Sequence, residues 1–265
     1  MRTPLRLARV VFHLLIGLDA ALAYARLPEK ARHALLRRWA LGLLRALGVR
    51  LTVSGAMARG PALIVANHVS WLDVIALAAC APAVFICKSE IAAWPGIGWL
   101  LERVGTIFIR RDSFRDVWRV NNVLRERFAA QMSVAAFPEG TTTMGGELRA
   151  FRPALFQPAV ERGLPVQPVA IAYSSRAAAY VGETSFFESL LSICAARSIE
   201  VHLTVLPPLS PGLTRKQAAR AAHGAIAACL ATRSSACAAG AGGASTSRAT
   251  PGSASLPHPR GRPAT

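Results

Sequence analysis

The pattern of apolar and polar residues predicts two helices at the N-terminus. Residues 10–27 are largely apolar but include a histidine, an aspartate and an arginine, whereas a membrane-spanning helix needs about 20 predominantly apolar residues. Residues 34–51 set arginines against leucines at helical spacing, which gives a basic stripe beside an apolar face. Residues 1–50 are therefore predicted to form a membrane-associating helical hairpin. A hairpin packed on a soluble core is the alternative.

Short apolar or β-branched runs alternate with helical stretches in the next part of the chain. The predicted strands are residues 62–66, 83–87, 106–109, 133–137, 166–172 and 200–205. Helical periodicity covers residues 114–130, with Ser113 and Asp116 as a capping pair, and Thr214 with Gln217 begins a helix that runs to about residue 231. This alternation predicts an α/β fold with a mostly parallel central sheet flanked by helices.

The composition changes beyond Arg233. Residues 234–265 consist almost entirely of Ala, Gly, Ser, Thr, Pro and Arg. Such a segment cannot bury enough apolar surface to offset the entropy of ordering the chain. We therefore predict a main domain over residues 51–233, followed by a disordered basic tail over residues 234–265.

Charge and hydropathy together favour a membrane surface as a partner. The formal net charge is +17, from 31 Lys and Arg against 14 Asp and Glu, and such a field attracts nucleic acid, anionic lipid and acidic proteins. However, 52% of the residues are hydrophobic and only 7% are aromatic, so no base-stacking platform for nucleic acid is evident. We expect no nucleic-acid partner, and a basic membrane- or nucleic-acid-binding module is the non-enzyme alternative.

The cysteines are expected to be structural. They are odd in number and show neither Cys-x-x-Cys nor Cys/His ligand spacing, which argues against a disulfide framework or a zinc site. The five are Cys80, Cys87, Cys194, Cys229 and Cys237. We expect small buried side chains in a reducing compartment.

His68 and Asp73 are the first candidates for chemistry. They lie in the run N-H-V-S-W-L-D, residues 67–73, directly after a predicted buried strand, and open α/β sheets bind ligands beyond the carboxyl ends of their strands. A neutral imidazole can accept a proton near pH 7, and a carboxylate on its other nitrogen fixes the tautomer. The spacing alone fits a structural histidine equally well.

Three further blocks lie at predicted strands or strand ends. Residues 105–111 end on Arg110 and Arg111, whose guanidinium groups suit phosphate oxygens. Residues 137–143, F-P-E-G-T-T-T, form a hydroxyl-rich loop where donors can converge on an anion. Residues 164–171 form an apolar strand with prolines at its entry and inside it, which predicts an edge or bulged strand.

In this order and at these spacings, the four blocks resemble the glycerophospholipid acyltransferase family, which includes bacterial 1-acylglycerol-3-phosphate acyltransferases. The resemblance covers about residues 51–205, and N-H-x-x-x-x-D followed by F-P-E-G is its most specific part. It implies a glycerolipid acyltransferase-like fold with residues 51–233 as the catalytic domain. It also implies a peripheral or monotopic protein on the cytoplasmic face of the inner membrane, where residues 1–50 contact an anionic leaflet.

The resemblance implies transfer of a fatty acyl group from acyl carrier protein or coenzyme A to the sn-2 hydroxyl of 1-acyl-sn-glycerol 3-phosphate, which forms phosphatidate. His68 would take the proton from that hydroxyl and Asp73 would orient His68, with no metal, cofactor or covalent enzyme intermediate. Arg110 or Arg111 matches the family's phosphate-binding arginine. The block at residues 165–168 matches the segment associated with the acyl donor.

The F-P-E-G block implies acceptor-binding roles for Glu139, Gly140 and the adjoining Thr141. Many members of the family carry Arg after F-P-E-G-T, whereas this chain has Thr142 and Thr143. The acceptor pocket therefore lacks one expected cation. Thr-rich versions resemble a bacterial subgroup that includes lyso-ornithine lipid acyltransferases, so acylation of lyso-ornithine lipid or another lysolipid is the alternative.

Overall fold

A computed structural model describes residues 2–110 and 114–242 of the chain. Among these, the residues up to Ala231 belong to one compact unit, and those from Thr232 onward belong to a second. The α-helices are α1 (Arg2–Tyr24), α2 (Glu29–Leu47), α3 (Leu72–Ala78), α4 (Ile97–Arg103), α5 (Phe114–Ala129), α6 (Gln157–Glu161), α7 (Phe186–Ala195) and α8 (Arg215–Gly242). The strands are β1 (Val49–Ser54), β2 (Leu63–Ala66), β3 (Ala83–Lys88), β4 (Ile107–Ile109), β5 (Ser133–Ala136), β6 (Val166–Tyr173) and β7 (Ile199–Val205).

The strands form one seven-stranded sheet in the order β1-β7-β6-β2-β5-β3-β4. Five neighbouring strands, from β6 to β4, are parallel; β7 is antiparallel to β6, and β1 is parallel to β7. The predicted mostly parallel α/β fold is confirmed. Because β6, β2, β5, β3 and β4 run in one direction, the loops that follow them meet at the same edge of the sheet.

Helices cover both faces of the sheet. Side chains alternate along β2, so Ile64 and Ala66 join one hydrophobic cluster, with residues of α2, α3 and α7. Leu63 and Val65 join the other, with residues of α5, α6 and the first turns of α8. The predicted capping pair at the start of α8 is confirmed, because the Gln217 backbone N–H donates to Thr214 Oγ1 and the Thr214 backbone N–H donates to Gln217 Oε1.

The two N-terminal helices pack on the domain and also expose an apolar face. Leu43, Leu44 and Leu47 of α2 are buried in the first cluster. On α1 the exposed large apolar side chains are Leu5, Val11, Phe12, Leu15, Ile16 and Leu22. Among the described residues, α1 is the one helix long and apolar enough to cross a membrane, by length and composition. The alternative of packing on the core therefore holds for the buried side chains, and membrane contact by the exposed apolar face stays a prediction.

The second helix ends earlier than predicted. We expected helix to residue 51, but α2 ends at Leu47 and β1 begins at Val49. Gly48 has a φ of 75°, a left-handed conformation that glycine adopts without a Cβ clash, and its N–H donates to the Arg45 carbonyl. Helix termination by this glycine releases the next residues to form a strand.

The expectation that the proline-containing strand lies at a sheet edge is wrong. β6 lies between β7 and β2 although it contains Pro168. Pro168 and Leu206 face each other where the β6–β7 ladder ends, and the Leu206 N–H donates to the Pro168 carbonyl. The missing proline donor is replaced by the side chain of Gln167, which is fully buried and donates to the Leu206 carbonyl. A neighbouring amide thus makes proline compatible with a central strand.

The last described helix continues into the segment predicted to be disordered. α8 extends to Gly242, beyond the expected end near residue 231. Residues 234–242 are rich in alanine, which has the highest helix propensity of all residues. The remainder of the predicted tail, residues 243–265, lies outside the described residues. Of the cysteines, Cys87 and Cys194 are buried as expected, Cys80 and Cys229 are partly buried, and the Cys237 side chain is not described.

Candidate active site

Loops at the carboxyl edge of the parallel strands form an open cleft of about 420 Å³. It contains His68 from the loop after β2, Lys88 from the end of β3 and Gly140 from the loop after β5. Its other lining residues are Trp71, Val74, Ile86, Cys87, Ile91, Phe137, Thr141, Thr142, Arg152, Tyr180 and Gly182. The apolar and basic composition of this lining suits a lipid with an anionic head group.

His68 and Asp73 form a buried pair, as the sequence predicted. The His68 Nδ1 atom lies 2.8 Å from Asp73 Oδ2, and the Asp73 side chain is 0% exposed. Backbone N–H groups of Val69 and Ser70 donate to the same oxygen, at 2.7 and 2.9 Å. The turn into α3 thus folds the carboxylate back onto the imidazole. With Nδ1 occupied by Asp73, Nε2 is the nitrogen that can take a proton.

The imidazole is held in place from several sides. The Phe137 ring stacks on His68 with 4.1 Å between ring centroids and 14° between the planes. The His68 carbonyl accepts a hydrogen bond from the Thr143 N–H at 2.8 Å. The Asn67 side chain exchanges two hydrogen bonds with the Ile171 backbone, at 2.8 and 2.9 Å. The loop carrying His68 is therefore fixed to β6 and to the loop after β5, as a preorganised base requires.

Glu139 anchors the loop and does not line the cleft, which corrects the expectation that it contacts the acceptor. Its side chain is 4% exposed. Oε1 accepts the His68 N–H at 2.7 Å, and Oε2 accepts the Arg149 N–H at 2.9 Å. Burial raises the pKa of the Glu139 carboxyl, whereas these two donors lower it. The carboxylate faces inward because two backbone donors need an acceptor there.

Replacing Glu139 with glutamine is expected to destabilise the protein by about 1–3 kcal/mol, because the amide group would face a backbone N–H donor. The urea midpoint of unfolding measures this loss, and Glu147→Gln, on the exposed part of the same loop, is the control.

The stability contribution of Glu139 depends on pH. The raised pKa means that the folded state holds the Glu139 proton more tightly than the unfolded chain. This contribution to stability is therefore largest at low pH and is lost as the pH rises through the raised value. An unchanged midpoint for Glu139→Gln would contradict the anchoring role.

Asp73 has a further partner that the sequence did not reveal. The Tyr173 hydroxyl donates to Asp73 Oδ1 at 2.6 Å. The two residues are separated by 100 positions in the chain, so no local motif joins them. Among the described residues no cluster of three metal-ligating side chains occurs, and the carboxylates near His68 are engaged by hydrogen-bond donors.

Arg110, one of the two predicted phosphate-binding arginines, is not among the residues that line the described cleft. Arg110 follows β4, three strand positions from β2, and adjacent strands are about 4.8 Å apart, so the two strands are separated by about 14 Å. The Arg110 side chain is 72% exposed and its Nη2 lies 3.6 Å from Asp116 Oδ1. The Asp116 carboxylate also accepts the Arg110 N–H at 2.7 Å. Arg111, like Ser113 of the predicted capping pair, lies outside the described residues.

Two other cations line the cleft. Arg152 lies against Gly140, where a Cβ atom would stand 2.9 Å from the Arg152 Nε. Gly140 has a φ of 76°, a backbone conformation that favours glycine, and a Cβ atom there would displace the Arg152 guanidinium group. Lys88 lines the same cleft and pairs with Glu90 at 2.8 Å. Neither Lys88 nor Arg152 lies in one of the four sequence blocks, so no motif points to them.

The three threonines at residues 141–143 have different environments. Thr141 lines the cleft, and its acceptor-binding role stays a prediction. The Thr142 hydroxyl donates to the Tyr180 carbonyl, and the Thr143 hydroxyl lies 3.4 Å from the His68 carbonyl as donor. Thr142 and Thr143 therefore hold the loop together, and their hydroxyl groups do not converge on an anion as the sequence suggested.

Comparisons with known proteins identify the family of this chain. The Acyltransferase family model matches residues 50–172. A lyso-ornithine lipid O-acyltransferase of Pseudomonas aeruginosa is 39% identical over 240 residues, 85% of this chain and 92% of that protein. A 1-acyl-sn-glycerol-3-phosphate acyltransferase of Neisseria meningitidis is 35% identical over 176 residues, 66% of this chain and 69% of that protein.

A solved structure supports the fold. The crystal structure of a 1-acyl-sn-glycerophosphate acyltransferase from Thermotoga maritima has a TM-score of 0.65 at 20% identity, and covers 88% of this chain and 98% of that one. The chain therefore belongs to the acyltransferase family. Within that family it is an O-acyltransferase of the lysophospholipid acyltransferase kind, and the resemblance inferred from the sequence is confirmed.

Proposed function

We propose that the enzyme transfers a fatty acyl group from an acyl thioester to the sn-2 hydroxyl of 1-acyl-sn-glycerol 3-phosphate and so forms phosphatidate. The observation that carries this proposal is the buried His68–Asp73 pair in a cleft that Arg152 and Lys88 also line. The pair supplies a base for the hydroxyl. The two cations supply the charge that a phosphate monoester needs.

The chemical steps use His68 as the only proton carrier. Its Nε2 takes the proton of the acceptor hydroxyl while the oxygen attacks the thioester carbonyl carbon. The tetrahedral intermediate then collapses, the C–S bond breaks, and the imidazolium returns its proton to the departing thiolate. Asp73 stabilises the imidazolium between these two transfers. General-base assistance of this kind contributes about 10²–10⁴-fold to the rate.

Arg152 is proposed to bind the acceptor phosphate in place of the arginine that many family members carry at the position of Thr142. Arg152→Ala is expected to raise the KM for 1-acylglycerol 3-phosphate by about 10-fold, because a charge-assisted hydrogen bond is lost. The kcat should change less, since the base is intact. Initial rates over a range of acceptor concentrations measure both constants.

The matched control for this variant is Arg149→Ala. Arg149 is an exposed arginine on the same loop that does not line the cleft, and it contributes the same charge to the protein. Its KM is expected to stay within twofold of wild type. Equal effects of the two substitutions would show that general charge, and not a phosphate contact of Arg152, determines the KM.

Lyso-ornithine lipid is the second candidate acceptor, since the protein from Pseudomonas aeruginosa named for that substrate aligns over 92% of its length. Its head group is an amino acid without a phosphate. Purified wild-type enzyme should be offered both acceptors with each thioester donor, and kcat/KM compared. The proposal predicts the higher value for 1-acylglycerol 3-phosphate. A higher value for lyso-ornithine lipid would contradict the proposed acceptor while leaving acyl transfer intact.

The proposed location is the cytoplasmic face of the cell membrane, where acyl carrier protein and coenzyme A thioesters are present. The exposed apolar face of α1 supports membrane contact. The net charge of +17 supports attraction to an anionic leaflet. The acceptor lipid could then enter the cleft from the surface on which the enzyme is bound.

A further inference from the structure

We propose that Tyr173 is a positioning residue that holds the Asp73 carboxylate in its working orientation and keeps the shared proton on His68. This inference rests on the proposed roles of His68 and Asp73. It assigns a function to a tyrosine at the end of β6, which the sequence motifs do not include. Tyr173 does not line the cleft, so it acts through Asp73 and not on the substrate.

The two oxygens of Asp73 have different environments. Oδ2 receives three donors, from His68 Nδ1 and the backbone N–H groups of Val69 and Ser70. Oδ1 receives the Tyr173 hydroxyl at 2.6 Å. Asp73 is 0% exposed, so water does not hydrate the carboxylate as it would at the surface. The phenol is therefore needed to complete the hydrogen bonding of a buried charge.

The sheet fixes the position of the phenol. Tyr173 is the last residue of β6 and is paired with Val201 of β7. Two residues earlier, Ile171 is joined to the Asn67 side chain by two hydrogen bonds. The strand that carries Tyr173 is thus tied to the loop that carries His68, so the Tyr173 hydroxyl can restrain rotation of the Asp73 carboxylate about its Cβ–Cγ bond.

The charge state of Tyr173 suits a permanent donor. Burial and the neighbouring Asp73 carboxylate raise the pKa of Tyr173 well above its ordinary value. Two other ionisable groups lie near the Tyr173–Asp73 hydrogen bond. His68 contacts Asp73 directly, and Glu139, on the loop after β5, accepts the His68 backbone N–H. Lys88 and Arg152 line the open cleft beyond His68. The phenol is therefore held in its protonated form, which donates the hydrogen bond to Asp73.

A donor on Oδ1 also sets how strongly Asp73 attracts a proton. A hydrogen bond to a carboxylate stabilises its ionised form, so it lowers the tendency of Asp73 to take the proton of His68. It also moderates the attraction between Asp73 and the imidazolium. Removal of the phenolic hydroxyl should leave a more basic carboxylate, which would hold protonated His68 more tightly and keep the base unavailable up to a higher pH.

Tyr173→Phe tests the proposal, because it removes only the hydroxyl. We expect kcat to fall by about 10-fold, the lower end of what one hydrogen bond to a charged group contributes, with the acceptor KM within twofold of wild type. We also expect kcat/KM to decline toward acid at a higher pH than in the wild type. The control is Tyr24→Phe, which removes a buried phenol from α1 outside the site and should change neither quantity.

A double substitution separates positioning from general stability. In the Asp73→Asn background, Tyr173→Phe should cost less than twofold in kcat, because the group through which it acts has already been altered. The proposal is overturned if Tyr173→Phe changes neither kcat nor the pH at which kcat/KM declines toward acid. It is also overturned if Tyr173→Phe lowers kcat by the same factor in the Asp73→Asn background as in the wild type. Retention of activity by His68→Ala is a different outcome, since it would overturn the proposed base itself.

Discussion

Replacing His68 with alanine is expected to lower kcat/KM by about 10³–10⁴-fold, at the upper end of what a general base contributes. The loss follows from the geometry, because Nε2 of His68 is the nitrogen left to accept a proton once Nδ1 pairs with Asp73. The measurement is release of free thiol from an acyl thioester in the presence of a lysolipid. The variant should bind the acceptor as wild type does, because Arg152 and Lys88 are unchanged.

The control for this substitution is His202→Ala, which removes a partly buried histidine of β7 that pairs with Glu200 outside the cleft. It is expected to retain wild-type activity. Thermal unfolding of both variants separates loss of the base from loss of the fold. If folded His68→Ala releases thiol at more than a tenth of the wild-type rate, His68 is not the base.

Asp73→Asn is expected to lower kcat by about 10²–10³-fold while the protein stays folded. The amide offers one acceptor oxygen where the carboxylate accepts four hydrogen bonds, and its NH2 group favours the wrong tautomer of His68. A lower unfolding temperature should accompany the loss, because buried donors are left without acceptors. Rates at saturating substrate and differential scanning calorimetry measure the two effects.

Asp19→Asn is the matched control, since Asp19 is an exposed carboxylate on α1. It should affect neither kcat nor the unfolding temperature. A folded Asp73→Asn variant with wild-type kcat would show that His68 works without a carboxylate partner, and the proposed mechanism would then lose its second residue.

The part of the site that could be predicted from the sequence is local in the chain. His68 and Asp73 are five positions apart, and a turn into a helix is enough to bring them together. The loop at residues 137–143 directly follows the predicted strand before it, which is also a short-range feature. The sequence also indicated the α/β class, because hydrophobic runs alternate with helical periodicity throughout the main domain.

The rest of the site depends on contacts between distant positions. Tyr173 reaches Asp73 only because β6 pairs beside β2, and the Arg152 side chain reaches Gly140 only after the loop beyond β5 has folded back. Glu139 was assigned to the acceptor because its motif gives the residue type but not the direction of its side chain. Pro168 indicated an edge strand because the compensating donor, Gln167, can be recognised only once Leu206 is placed beside it.

In the proposed mechanism the acyl group passes directly from the thioester to the lysolipid hydroxyl, with His68 as base. The stoichiometry of thiol and product in a single reaction mixture tests this direct transfer. Wild-type enzyme is incubated with an acyl thioester, with and without 1-acylglycerol 3-phosphate, while free thiol, acylated product and the mass of the intact protein are measured together. Direct transfer predicts thiol release only when acceptor is present, one product per thiol, and an unchanged protein mass. Thiol release without acceptor, accompanied by a protein heavier by one acyl group, would contradict it.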